Sequence, residues 1–375
     1  MQPTDRFKVL DAWRGICALI VASYHYPARF AMLDWPIFRA GWVFVDFFFV
    51  LSGFVICHRY LGQGRRLDLS DFCVRRLHRL LPTHAITLLV VVATSVGIAG
   101  GRFVVEGGIR LDGVGSDATD FCRMLGLHML LLQGFSGFGA VGLNVPSWSV
   151  SVEFWTNVLF GVLARLGILD RRTLLLVAAL TGTVLSLQAP ATYLDGAALS
   201  NAARAMFGFT LGALAYDAFK SARLAVRIST FCCTLAELAC LGALATAAHA
   251  ARHMVCLWTL PLLFSACILV FAGERGMISR LLLTAPFQRA GARSYAIYLL
   301  HFSILSLFYA GGTAITRVPE LARISALIPA SLAAPTAYLL YLAAVWAGSR
   351  ILSDRIARAS AQRALRRASN VEQAA

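Results

Sequence analysis

The chain has 375 residues, 58% of them hydrophobic and 14% charged, with a mean hydropathy of +0.70. A soluble domain carries about a quarter charged residues, so the composition excludes a soluble enzyme and points to an all-α integral membrane protein. The formal net charge of +15 is almost all arginine, which suits a nucleic-acid partner or, in a membrane protein, the excess of Lys and Arg in cytoplasmic loops.

A membrane-spanning helix needs about 20 apolar residues. That predicts about ten transmembrane helices, near 12–31, 41–58, 80–100, 148–169, 173–190, 202–219, 228–248, 254–272, 294–312 and 324–348. The apolar stretch 122–136 is too short to cross and is expected to be re-entrant or interfacial. With the N-terminus in the cytoplasm, 23 of the 34 Lys and Arg fall in inside segments and 7 in outside ones. This asymmetry predicts cytoplasmic N and C termini. It accounts for the basicity with no nucleic-acid partner. Residues 1–348 are expected to form the transmembrane domain and 349–375 a basic cytoplasmic tail lying along the anionic inner leaflet. The first span is expected to be retained, since no small-residue cleavage site follows it. The spans do not divide into two matching halves, which weighs against an inverted-repeat transporter.

The first span begins in "LDAWRGICALIVASYHY", with Arg14 and His25. Eleven residues are three helical turns plus about 20°, so the two share a face about 16 Å apart along the axis. Taken alone, Arg14 could snorkel to the headgroups and His25 could make an interhelical hydrogen bond. The second span, "GWVFVDFFFVLSGFVICHRY", carries Asp46 and Ser52. Before the third, "FCVRRLHRLLP" holds Arg75, Arg76 and Arg79. These arginines suit either positive-inside bias or a polyphosphate clamp, because guanidinium pairs with phosphate through two hydrogen bonds.

The fourth span opens with Trp148, Ser149 and Glu153 in "PSWSVSVEFW". Asp46 and Glu153 are each expected about 8 Å below the outer surface, at the depth of His25. Two carboxylates and an imidazole at one level can form a buried cluster, in which a carboxylate orients His25 as a general base. In the ninth span, "SYAIYLLH", Tyr298 and His301 lie three residues apart on one face and suit a structural hydrogen-bond pair.

The nine cysteines include no CxxC pair and read as small buried hydrophobes. His249 and His253 lack a third ligand nearby and read as surface histidines. No metal site is expected.

Taken in order, the five quoted segments resemble the characteristic segments of the bacterial acyltransferase-3 family, integral membrane enzymes that O-acylate carbohydrates and other acceptors. They run from residue 10 to 301. The resemblance implies a ten-helix acyltransferase domain in the bacterial inner membrane. It implies acyl-CoA, acetyl-CoA first, as co-substrate from the cytoplasm, with no permanently bound cofactor. The acceptor would be a hydroxyl of a surface polysaccharide, lipopolysaccharide or lipo-oligosaccharide. Arg14 and His25 match the family's first-helix arginine and histidine. Arg75, Arg76 and Arg79 match its basic motif, and Trp148, Ser149 and Glu153 its Trp-Ser…Glu motif. Phe154 stands where many members carry a second Glu.

The resulting expectation makes His25 the general base, with Glu153 and Asp46 as its carboxylate partners. Arg14, Arg75, Arg76 and Arg79 bind the donor. Trp148, Ser149, Ser52, Tyr298 and His301 support the site. The main alternative is a proton-coupled transporter using the same buried His and carboxylates. A membrane acyltransferase of the other large class and a non-catalytic scaffold are further readings.

Overall fold

The computed structural model describes residues 6–61, 67–106, 118–135, 143–187, 198–222, 229–251, 259–317 and 330–374. Among them every regular element is helical. The helices are α1 (Lys8–His25), α2 (Pro36–Arg39), α3 (Phe44–Ile56), α4 (Leu69–Glu106), α5 (Ala118–Met129), α6 (Trp148–Arg165), α7 (Arg171–Leu187), α8 (Ala198–Ala222), α9 (Thr230–Ala251), α10 (Leu260–Ala272), α11 (Met277–Leu282), α12 (Ala285–Arg317) and α13 (Ala330–Ala374). A 3₁₀ turn (Gly41–Val43) leads into α3, and a π-helical turn (Cys57–Leu61) extends it.

Each of the ten expected spans contains a helix. Five of the described helical stretches are long and apolar enough to cross a membrane: Gly41–Tyr60, Leu69–Gly97, Thr230–Ala251, Ala285–Gly311 and Leu332–Gln362. The others are shorter or less apolar; α10 has only 13 residues, about 20 Å at helical rise. The apolar stretch near 122–136 forms α5, 12 residues long, then a turn in which Leu131 has φ 54°. Residues 188–190, 228, 254–258 and 324–329 of the expected spans, residue 136 of the short stretch, and His253 lie outside the described residues.

The first helix is displaced from its expected position. It starts at Lys8 and ends at His25, so His25 is its last residue rather than one well inside it. Pro27 disfavours helix for the residue before it, and Tyr26 is extended (φ −68°, ψ 124°). The carbonyl of Ala22 thereby loses its helical partner, because the Tyr26 N–H turns to Ser23 O. The buried Tyr341 hydroxyl on α13 donates to Ala22 O instead, at 3.1 Å. At the other end, Glu274 accepts the Val9 N–H at 2.9 Å. Glu274 reaches this position from the left-handed region, at φ 53°. A carboxylate is favoured at a helix N-terminus.

Helix α4 starts eleven residues before the expected span and continues through Pro82. Asp68 starts it, accepting from the Ser70 N–H and hydroxyl and from the Asp71 N–H at 3.0, 2.8 and 3.1 Å. These bonds, the Ser70 hydroxyl foremost, hold the exposed Asp68 carboxyl below its usual range.

Small residues let two helix pairs approach closely. Gly15 on α1 faces the backbone of Ala290 and Gly291 on α12, and Gly291 faces Asp11 O. Gly53 on α3 faces Phe209 O on α8, and Gly212 on α8 faces Val50 O. Apolar side chains gain little by leaving lipid for another helix, so such close van der Waals contact is a main source of association. The α1–α12 contact sets His25 beside His301.

Candidate active site

A cavity of about 1020 Å³ opens among α1, α3, α4, α6 and α12. Its α1 wall is the stripe Phe7, Leu10, Asp11 and Arg14, a helical repeat of three and four residues. Six arginines line it: Arg6, Arg14, Arg59, Arg75, Arg76 and Arg79. Against them stand four carboxylates, Asp11, Asp68, Asp71 and Glu153. Asp11 pairs with Arg6 and with Arg14 (3.3 Å to the latter), and Asp71 pairs with Arg75. Arg76 and Arg79 have no carboxylate within ion-pair distance among the described residues. Arg76 lies over the Phe72 ring (5.6 Å), and Arg59 and Arg75 lie over Tyr60 (6.0 and 5.9 Å). Cations outnumber anions, so the cavity suits a polyanionic ligand.

Glu153 also lines the cavity. It accepts a hydrogen bond from the Ser52 hydroxyl at 2.9 Å. The cavity's wall on α12 is Ser294, Tyr295 and Tyr298. Tyr298 and Ser149 meet there, hydroxyl to hydroxyl at 2.8 Å, and both lie within reach of Pro146 O (3.0 and 3.2 Å).

His25 and His301 do not line this cavity. His301 follows Tyr298 by three residues on α12, about 4.5 Å along the axis. Its Nε2 lies 3.3 Å from His25 Nδ1. His25 Nδ1 also lies 3.0 Å from Val21 O, and His301 Nδ1 lies 2.6 Å from Tyr298 O. His301 is fully buried and His25 half-buried.

The structure therefore groups the expected residues differently. Arg14, Arg75, Arg76, Arg79, Ser52, Ser149, Glu153 and Tyr298 share the cavity, and His25 pairs with His301. Neither carboxylate hydrogen-bonds His25. Glu153 turns toward Ser52, and Asp46 forms a two-armed ion pair with Arg204 on α8 (3.1 Å on each arm). An ionised group taken out of water needs a counter-charge, and Arg204 supplies it. Arg204 also lies 5.0 Å from the Trp148 ring centroid, on the helix that bears Ser149. Arg204 had no expected role. Its signal was a lone arginine inside the apolar stretch 202–219, which requires an acidic partner in another span. Among the described residues, no three His, Cys, Asp or Glu side chains converge as a metal site.

The profile of the acyltransferase-3 family, an acyltransferase domain, matches residues 7–353. The chain belongs to this family. The family match thus contains both the arginine-lined cavity and the histidine pair. The chain is similar to the peptidoglycan O-acetyltransferase OatA of Listeria monocytogenes, with 25% identity over 327 residues, covering 80% of this chain and 49% of the relative. It is also similar to the putative peptidoglycan O-acetyltransferase YrhL of Bacillus subtilis, with 31% identity over 150 residues, covering 38% of this chain and 21% of the relative. A third relative is the acyltransferase MdmB of Streptomyces mycarofaciens, with 28% identity over 171 residues, covering 43% of this chain and 40% of the relative. The chain thus matches half or less of each of these three relatives. No solved structure matches the chain.

Proposed function

We propose that the protein is a membrane O-acyltransferase, carrying an acyl group, acetyl first, from acyl-CoA to a hydroxyl of a carbohydrate acceptor. The single observation that carries the reading is the arginine-rich cavity of about 1020 Å³ whose lining includes Ser149 and Tyr298, with a histidine pair one helical turn from Tyr298. Arg75, Arg76 and Arg79 bind the CoA phosphates at the mouth. Arg14, about 16 Å from His25 along α1, contacts the phosphates or the pantetheine arm. The thioester lies toward Ser149 and Tyr298. The half-buried His25 takes the proton of the acceptor hydroxyl as its oxygen attacks the thioester carbonyl. The C–S bond breaks, and the CoA thiolate leaves with that proton. General-base action of this kind contributes about 10²–10⁴-fold.

The charge distribution supports an orientation with the cavity mouth and both termini in the cytoplasm of a bacterial inner membrane, and His25 toward the outer face. A glycan acceptor is supported by the names of two relatives, both peptidoglycan O-acetyltransferases. The test is transfer of label from acetyl-CoA to a glycan acceptor by the purified protein in lipid nanodiscs. His25→Ala should abolish it, and full transfer by that variant would remove His25 from the mechanism. Substrate uptake into sealed vesicles without consumption of acyl-CoA would replace the reading with transport.

A further inference from the structure

The hydrogen bonds around His25 fix which of its nitrogens carries a proton. A carbonyl oxygen accepts and never donates. His25 Nδ1 lies 3.0 Å from Val21 O, so in the neutral ring the proton sits on Nδ1 and Nε2 holds the free lone pair. His301 Nδ1 lies 2.6 Å from Tyr298 O and must likewise be the protonated nitrogen. His301 Nε2 is then an acceptor, and it lies 3.3 Å from His25 Nδ1. Every donor meets an acceptor: the His25 Nδ1–H is shared between Val21 O and His301 Nε2. The opposite tautomer of His25 would set two lone pairs, on Nδ1 and on Val21 O, against each other. A buried donor or acceptor left unmatched costs about 1–3 kcal/mol.

We propose that His301 is the positioning residue for His25, an imidazole standing where a general base usually has a carboxylate. The proposal rests on the acyl-transfer reading above. His301 is 0% exposed and cannot meet an acceptor itself; it acts through His25. When His25 Nε2 takes the acceptor's proton, the ring becomes imidazolium. Its Nδ1–H continues to donate to His301 Nε2, which remains neutral. The Nε2 proton then passes to the departing thiolate, and both rings return to their starting tautomers. The rings that contact His25 are those of Tyr24, Phe302 and His301. No carboxylate lies within ion-pair distance of His25 among the described residues.

Two measurements test this. The first is ¹⁵N-histidine NMR of the wild-type protein in bilayers, with the His25 signals assigned by their loss in His25→Ala. The expected result is a protonated Nδ1 and an unprotonated Nε2; the reverse would overturn the proposal. This readout needs no turnover, so it stands even if the protein proves not to use acyl-CoA. The second is the kinetics of two folded variants. His301→Leu, which lacks an acceptor, should lose about 10²-fold or more in kcat with KM for acyl-CoA unchanged, because His301 does not line the donor cavity. His301→Gln keeps an acceptor oxygen and should recover most of that loss. Undiminished kcat in His301→Leu would overturn the proposal, as would equal losses in the two variants.

Discussion

Arg204 and Asp46 are joined by two hydrogen bonds of 3.1 Å each, with side-chain exposures of 4% and 0%. This pair ties α8 to α3 along the same contact where Gly53 meets Phe209 O and Gly212 meets Val50 O. Replacing one partner leaves the other charge buried and alone, at a cost of about 3–5 kcal/mol. Asp46→Asn and Arg204→Leu should each lower the unfolding midpoint in detergent. A double replacement of both with apolar residues should recover much of the loss. Single variants as stable as the wild type would show that the pair contributes little to the fold.

The arginines of α4 are predicted to recognise phosphate rather than to supply bulk charge. Arg76→Lys and Arg79→Lys keep the charge and lose the two-pronged guanidinium. Hydrogen bonds to charged groups contribute about 1.5–3 kcal/mol, so each change should raise KM for acetyl-CoA about tenfold or more. KM for acetyl-pantetheine, which lacks the nucleotide phosphates, should not change. Equal effects on both donors would argue against phosphate recognition.

Close contact between α1 and α12 makes Gly15 intolerant of substitution. A Cβ there would meet Ala290 and Gly291, and forcing extra volume into a packed interior costs about 1–3 kcal/mol. Gly15→Val should cut the yield of folded protein and weaken transfer. Gly126 on α5 is the contrast, with nothing within 4 Å of a Cβ. Gly126→Ala should hold or raise stability, since Ala exceeds Gly in helix propensity by about 1 kcal/mol. Thermal unfolding of the two variants side by side checks both.

Tyr341 closes the end of α1 that carries His25. Tyr341→Phe keeps the ring and leaves Ala22 O without its partner. The expected cost is about 1–3 kcal/mol, together with faster amide exchange at Ser23 to Tyr26. Hydrogen exchange at those amides is the direct check; unchanged rates would show that α1 ends stably without the tyrosine.

Much of this architecture was legible in the chain alone. Long apolar runs broken by arginine-rich segments announced a helical membrane protein, because hydrocarbon tolerates little else. The eleven-residue spacing of Arg14 and His25 placed both on one face of one helix, a local consequence of helical pitch. Arginines 75, 76 and 79 stood out at the start of α4, and the five ordered segments pointed to the family that the match over residues 7–353 establishes.

The partners were not legible in this way. Depth along a helix axis grouped Asp46, Glu153 and His25, but depth says nothing of azimuth, and each residue of a helix turns the side chain by 100°. Asp46 turns to Arg204, Glu153 to Ser52, and His25 to His301, 276 positions away in the chain. Pro27 also ended α1 earlier than apolarity alone suggested, leaving His25 as its last residue. Which buried charge meets which depends on how the helices pack, and glycine contacts between distant segments set that packing. The chain thus carried the chemical inventory and its rough depth, while the tertiary fold alone chose the pairs.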